Sequence, residues 1–493
     1  MISQHYPVLH VVLPLIAAPV MVLARHGGIA WLLATAVSWS SLAVSVALFA
    51  QVADGSVVSY AIGNWAPPWG IEYRIDSVNA FLLVLVSLIA SVVAIYSRES
   101  VAAEVPREQH YLFYTMYVLC LAGLLGIAAT GDGFNLFVFL EISSLSSYVL
   151  IALGRDRRAL MASYQYLIMG TIGATFIVIG VGLLFLMTGT LNLADMAARL
   201  PGVTETRPVL AALAFLTVGI CLKLALFPLH LWLPNAYAYA PSAVTAFLAA
   251  TATKVSVYVL LRFYYTVFGE SVVFAALPMG GILLALSLAA MFIASTIAIF
   301  QDDVKRLFAY SSVAQIGYIT LGISFDSATG LTAAIVHLFN HALTKGALFM
   351  LLGGVALHLG RIRFRDIGGL ARVMPLTSFG VVLAGLSLIG VPGTVGFVSK
   401  WYLVLAALEA GAGWLAALIV LSSLLAVVYV WRFVEVAYFR EPSEAVSRLK
   451  EAPPSMLAAS WVMVVGCVYF GLDASTTVGG AAQAAATLLG IGR

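Results

Sequence analysis

Apolar residues recur along this chain in long, nearly unbroken runs, without the polar stripe that a surface helix of a soluble protein carries. A helix needs about 20 apolar residues to cross a bilayer core. Fourteen runs qualify: 8–24, 29–51, 76–97, 109–129, 132–154, 161–187, 208–238, 241–267, 274–300, 306–324, 328–358, 375–408, 411–439 and 454–472. The pattern predicts an all-α polytopic membrane protein of about fourteen transmembrane helices. Composition agrees, with 62% hydrophobic and 10% charged residues among 493. No soluble domain fits between the runs, so the chain is expected to hold no cofactor, and redox or nucleotide chemistry would have to come from a partner. The opening MISQHYPVLH has no basic n-region, and the first helix is therefore expected to be retained rather than cleaved as a signal.

Basic residues sort the connections into two sets. Loops on the side reached after the first run hold fifteen, namely Arg25, Arg98, Arg107, Arg155, Arg157, Arg158, Lys305, Arg306, Arg361, Arg363, Arg365, Arg372, Arg440, Arg448 and Lys450. The opposite loops hold only Arg74, Arg199 and Arg207, three in all. Basic loops stay in the cytoplasm. The split supports an even number of crossings in the inner (cytoplasmic) membrane, with both termini on the outer side. The net charge of +3 follows from this asymmetry and points to no nucleic-acid partner.

Two runs are too long for single spans. Residues 208–238 would make a helix of about 46 Å against a core of about 30 Å. Pro228 and Pro234 interrupt it in LFPLHLWLP, and Pro392-Gly393 interrupts 375–408 in GVPGTVGFVSK. Leu222, Leu224 and Pro228 have the same spacing as Leu386, Leu388 and Pro392. Matching interruptions in two halves point to a repeat-built transporter with sites near the membrane midplane. Pro228, His230 and Pro392 are the candidate gating positions, His230 serving equally well as a backbone cap.

Ionisable residues inside these runs carry the functional argument. Lys223, Lys254, Lys345 and Lys400 each oppose insertion by about 2.5–3.5 kcal/mol at a bilayer centre, on the order of 10 kcal/mol together. A packing role explains such a cost poorly, and a proton path explains it well. Glu141 sits in NLFVFLEISSLSSYVL, either paired for structure or as a partner that, by moving relative to Lys223, switches how tightly that lysine holds its proton. Lys254 lies well inside its run, too deep for ordinary snorkelling. His337, His341 and Lys345 are spaced by four, about 40° of rotation per step, and form one polar stripe suited to proton relay. Zinc would lack an acid or cysteine beside the two histidines. Lys400, beyond the second break, is placed to connect the interior to one surface. Arg432 and Glu435 are spaced as a helix-stabilising pair. Cys120, Cys221 and Cys467 lie within helices at no metal-ligand spacing.

Three long strings carry a family resemblance. LKLALFPLHLWLPNAYAYAPSAVTAFLAATATKVSVYVLLR, QDDVKRLFAYSSVAQIGY and HLFNHALTKGALFM resemble the helix 7–8, helix 9–10 and helix 11 signatures of the antiporter-like proton-translocating subunits of complex I, membrane-bound hydrogenases and Mrp-type antiporters. The resemblance implies two inverted five-helix repeats, 109–267 and 268–440, preceded by three helices (1–108) and followed by a loop and a last helix (441–493). It further implies interrupted helices 7 and 12 and a polar axis in the membrane plane. By motif match that axis runs through Glu141, Lys223, Lys254, His337, His341, Lys345 and Lys400. Asn235 stands where the family commonly has aspartate, which puts an ionic role there in doubt. The ending soon after helix 14, Lys400 and NHALTKGALF favour the D-type member of an Mrp antiporter. Its partners would be a large A-like subunit and small membrane subunits, and its cargo protons and a monovalent cation such as sodium. The alternative is a pumping subunit of a redox complex, a translocase without its own redox centre.

Overall fold

A computed structural model of the chain describes residues 2–442 and 444–491. Among them, thirteen helices are long and apolar enough to cross a membrane. A fourteenth crossing is built from two pieces, Pro375–Ile389 and Val395–Glu409. Arg207–Leu224 is likewise followed, after a gap, by the short helix Trp232–Tyr239.

The bundle is layered by polarity. Ser77–Glu104, Ser242–Leu261, Val304–Ser324 and Ala328–Leu359 are almost wholly buried, and the last three bear Lys254, Gln315, His337, His341 and Lys345. Helices Tyr6–Ala24, Arg157–Thr188 and Gly413–Val434 wrap around them and turn Leu23, Leu186 and Val420 outward. Apolar side chains face lipid while ionisable ones find partners inside. Close approach depends on glycine where Arg157–Thr188 meets Arg207–Leu224. A Cβ on Gly219 would stand 2.7 Å from the Gly173 carbonyl oxygen. The small residues let the two backbones touch and so fix the depth of Lys223.

Loop contacts define two ends of the bundle. At one end His5 Nδ1 meets the Tyr60 hydroxyl at 3.1 Å, and Gln483 Nε2 donates to the Ala53 carbonyl at 2.9 Å, so the N-terminal turn and the C-terminal helix share a face. At the other end Arg361 pairs with Asp303 at 2.8 Å, and Ser242 donates to Glu104. This sorting is what fourteen alternating crossings require.

Both long runs break as expected, with one refinement. Ala225 (φ 60°) and Gly390 (φ 89°) end their helices in the left-handed region. Leu226 N–H donates to Cys221 O, and Val391 N–H to Leu386 O, at 3.1 Å in both cases. This is the same Schellman-type closure twice. The structural correspondence pairs Ala225 with Gly390, one residue out of step with the Leu222/Leu386 echo of the sequence. Pro228 and Pro392 fall within the breaks. Pro234 does not. It occupies the first turn of Trp232–Tyr239, where an N–H has no intrahelical acceptor to lose.

Four features depart from the expectations. Val58–Ala61 and Glu72–Ile75 form an antiparallel hairpin between the second and third helices. Ser475–Leu488 adds a helix that packs on Ser77–Glu104 and Ala328–Leu359, with Ser77 and Thr487 hydroxyls 2.8 Å apart. Arg432 and Glu435 are not a pair: Arg432 Nη1 donates to the Ile299 and Gln301 carbonyls, and Glu435 binds Arg440 at 3.2 Å. Lys305 is buried rather than a free loop cation.

Candidate functional site

The first cluster joins two crossings. Glu141 lies midway along Gly133–Ala152, and Lys223 lies in the last turn of Arg207–Leu224. Lys223 Nζ donates to Ser144 Oγ at 2.7 Å and stands 3.8 Å from Glu141 Oε1. The serine is three residues after the glutamate, on the same helical face, so one helix offers both an acceptor and a counter-charge. A cavity of about 20 Å³ adjoins Lys223, Ser144, Ser147 and Ser256, enough for about one water. Trp232 Nε1 donates 2.9 Å to the Leu222 carbonyl, which also accepts from Ala225 N–H at 3.3 Å at the break.

Lys254 is buried at the centre of Ser242–Leu261 and donates to the Ala249 carbonyl at 2.5 Å. No carboxylate pairs with it among the described residues. His341 lies within electrostatic reach of Lys254, Lys345 and His337. Both of its ring nitrogens are buried and hydrogen-bond to no protein atom among the described residues. An imidazole whose two ring nitrogens are free of protein partners can take a proton on one nitrogen and give one up from the other.

Lys345 Nζ donates to Ser311 Oγ at 2.5 Å and to Phe308 O at 2.8 Å. His337, two stripe steps away, meets Gln315 Oε1 at 2.9 Å and Ser399 Oγ at 2.8 Å. The two histidine rings lie 6.4 Å apart and nearly parallel. Ser399 precedes Lys400, whose Nζ donates to Leu388 O (3.0 Å), Ile389 O (2.8 Å) and Ser423 Oγ (2.9 Å). Lys400 also sits 4.6 Å from the centre of the Tyr318 ring. It therefore turns back onto the carbonyl end of the broken helix, where a cation is favoured, rather than leading outward.

Of the sequence candidates, Glu141 meets Lys223 and the helix stripe meets Ser399 and the Tyr318–Lys400 contact. His230 stacks on Phe227 at 5.2 Å and meets Tyr310 edge-on, within the first break and apart from the lysines. Asn235 donates to Gln165 at 2.8 Å, an amide pair in place of an ion pair. The sequence reading missed Ser311, Gln315, Tyr318, Ser399 and Ser423. Their signal was present, since hydroxyls and an amide inside membrane-length runs need partners there.

Residues 130–426 match the family described as NADH:quinone oxidoreductase/Mrp antiporter, transmembrane. The chain belongs to this family. It is 43% identical over 95% of its length to NADH-quinone oxidoreductase subunit N of Desulforudis audaxviator, covering 96% of that protein. It is 30% identical over 81% of its length to the D component of the Na(+)/H(+) antiporter of Alkalihalophilus pseudofirmus, covering 80% of that protein. Among solved structures, a chain of the Mrp complex from Dietzia sp. superposes with a TM-score of 0.90 at 27% identity, with 99% of this chain and 98% of that one covered. The protein is thus an antiporter-like, multi-pass membrane subunit whose relatives work inside multisubunit membrane complexes.

Proposed function

We propose that this chain carries protons along the buried series Glu141, Lys223, Lys254, Lys345, His341, His337 and Lys400, as one membrane subunit of a hetero-oligomeric complex. The observation that supports this most is the partnering of the four lysines. Only Lys223 has a carboxylate within ion-pair distance among the described residues. Lys254, Lys345 and Lys400 are held by carbonyls and hydroxyls alone. Such groups hold an ammonium without a fixed counter-charge, so a proton can leave without abandoning a buried anion. The pieces on either side of the breaks, in two five-helix repeats over 109–267 and 268–440, would shift these contacts. Pro228, His230 and Pro392 would serve as gating positions.

The first reading of the energy source is exchange: protons moving inward drive a monovalent cation such as sodium outward, as in a D-type Mrp component with a large A-like partner and small subunits. Each charge crossing is driven by about 2.3 kcal/mol per 100 mV. The second reading, favoured by the 43% identity to a quinone oxidoreductase subunit, is redox-driven pumping with electron carriers on other chains. In both, the basic loops face the cytoplasm and both termini the outer side. The native complex, reconstituted in vesicles with a pH-sensitive dye, separates them. A pH change on adding sodium salt supports exchange, and one that requires a reductant and a quinone supports pumping. Absence of both rejects proton carriage by this subunit.

A further inference from the structure

A cavity of about 340 Å³ opens at the end of the bundle that carries most of the basic loops. Glu104 and Lys305 line it, and with Ser242 they make a second arrangement of glutamate, serine and lysine. Lys305 is 5% exposed, as deeply buried as Lys223. Its Nζ donates to Ser242 Oγ at 2.8 Å, and the Ser242 hydroxyl donates to Glu104 Oε2 at 3.2 Å. Ser242 N–H reaches the same carboxylate oxygen at 2.9 Å, and Ser100 Oγ donates to the other at 2.8 Å. Lysine, hydroxyl and carboxylate thus form a two-bond wire, and no direct ion pair joins its ends among the described residues.

The other charges at the cavity are held differently. Asp303 binds Arg361 and caps its own helix, and Asp156 binds Arg158. Arg155 and Tyr239 complete the wall. Ser242 begins the helix that bears Lys254. Lys305 begins the helix whose Ser311, about 9 Å farther along the axis, holds Lys345.

We infer that Glu104, Ser242 and Lys305 form a proton-collecting mouth that feeds the axis at Lys345. Glu104 takes a proton from water in the cavity. It passes that proton to Ser242 Oγ as the serine's own proton moves to the neutral amine of Lys305, and Lys305 then returns to the amine by giving a proton to water, which carries it towards Ser311. The inference rests on the proton-carrying reading above.

The test uses the whole complex in vesicles, with Glu104→Gln, Lys305→Gln and Lys305→Arg, the last preserving charge and donors while hardly releasing a proton. Initial proton uptake in weakly buffered medium should fall about tenfold or more, somewhat below what a positioned proton donor supplies in catalysis. Added imidazole, small enough for the cavity, should restore the glutamate variant. A purely structural role would not respond to imidazole. Wild-type rates in all three variants, or a loss in Glu104→Gln that imidazole leaves untouched, would overturn the mouth while the axis stands. A wild-type complex that moves no protons would overturn both.

Discussion

Lys223 and Glu141, on different crossings, stand 3.8 Å apart with Ser144 beside them at 2.7 Å from the ammonium. At an effective dielectric of about 20 such a pair attracts by on the order of 4 kcal/mol. An ångström-scale displacement of either helix changes that attraction and with it the lysine's hold on its proton. Glu141→Gln keeps the side-chain volume and removes the charge. We expect normal assembly with transport reduced at least about tenfold, the effect of losing roughly 1.4 kcal/mol of coupling. Native gel yield and dye quenching measure the two separately. Normal transport would reduce Glu141 to a packing residue, and failed assembly would make it structural.

Lys223→Arg separates charge from proton release. Arginine satisfies Ser144 and Glu141 but stays protonated under all working conditions. The expected outcome is a stable complex that fails to translocate. Wild-type turnover in this variant would show that Lys223 acts as a fixed charge only.

The two breaks predict different responses to inverse exchanges. Ala225 holds a left-handed conformation that costs an L residue about 1–2 kcal/mol and glycine nothing. Ala225→Gly should therefore leave thermal stability unchanged or slightly raised, and transport intact. Gly390 holds the matching position, and a Cβ there would lie 2.8 Å from Lys400 Cδ. Gly390→Ala must push the lysine off the Leu388 and Ile389 carbonyls. Transport should fall sharply, while Gly413→Ala, with open space around it, serves as the neutral control.

The crossings and both breaks were legible because each rests on a local rule: apolar length for the spans, a missing N–H at Pro228 and Pro392. The stripe of His337, His341 and Lys345 was legible from helical periodicity alone. What the sequence could not supply was partnership across helices. Nothing local says that Glu141 meets Lys223, or that Lys400 turns back on its own break. Lys305 looked like a loop cation because it stands beside Asp302, Asp303 and Arg306, and only Ser242 and Glu104, from distant segments, give it a buried place. The helix Ser475–Leu488 escaped notice because its alanine- and glycine-rich sequence is too short and too polar to register as a span.

Lys400 offers the sharpest separation of function from stability. Its ammonium binds two carbonyls and Ser423 and lies over Tyr318. Lys400→Met leaves those acceptors unpaired, at about 1–3 kcal/mol for the buried Leu388 carbonyl and less for the half-buried Ile389 carbonyl and Ser423 hydroxyl. It also removes a charge that costs about 2.5–3.5 kcal/mol at membrane depth. The two effects oppose each other and are of similar size. The complex should therefore assemble, with a thermal inactivation midpoint within a few degrees of wild type, and carry no protons. Tyr318→Phe keeps the ring under the ammonium and loses only the hydroxyl bonds to Ser422 and Ser423, so transport should persist. Tyr318→Leu removes a cation–π contact worth about 0.5–2 kcal/mol and should slow it. Collapse of assembly in Lys400→Met, or equal rates for the two Tyr318 variants, would mean that the site is held by packing and not by the balance described.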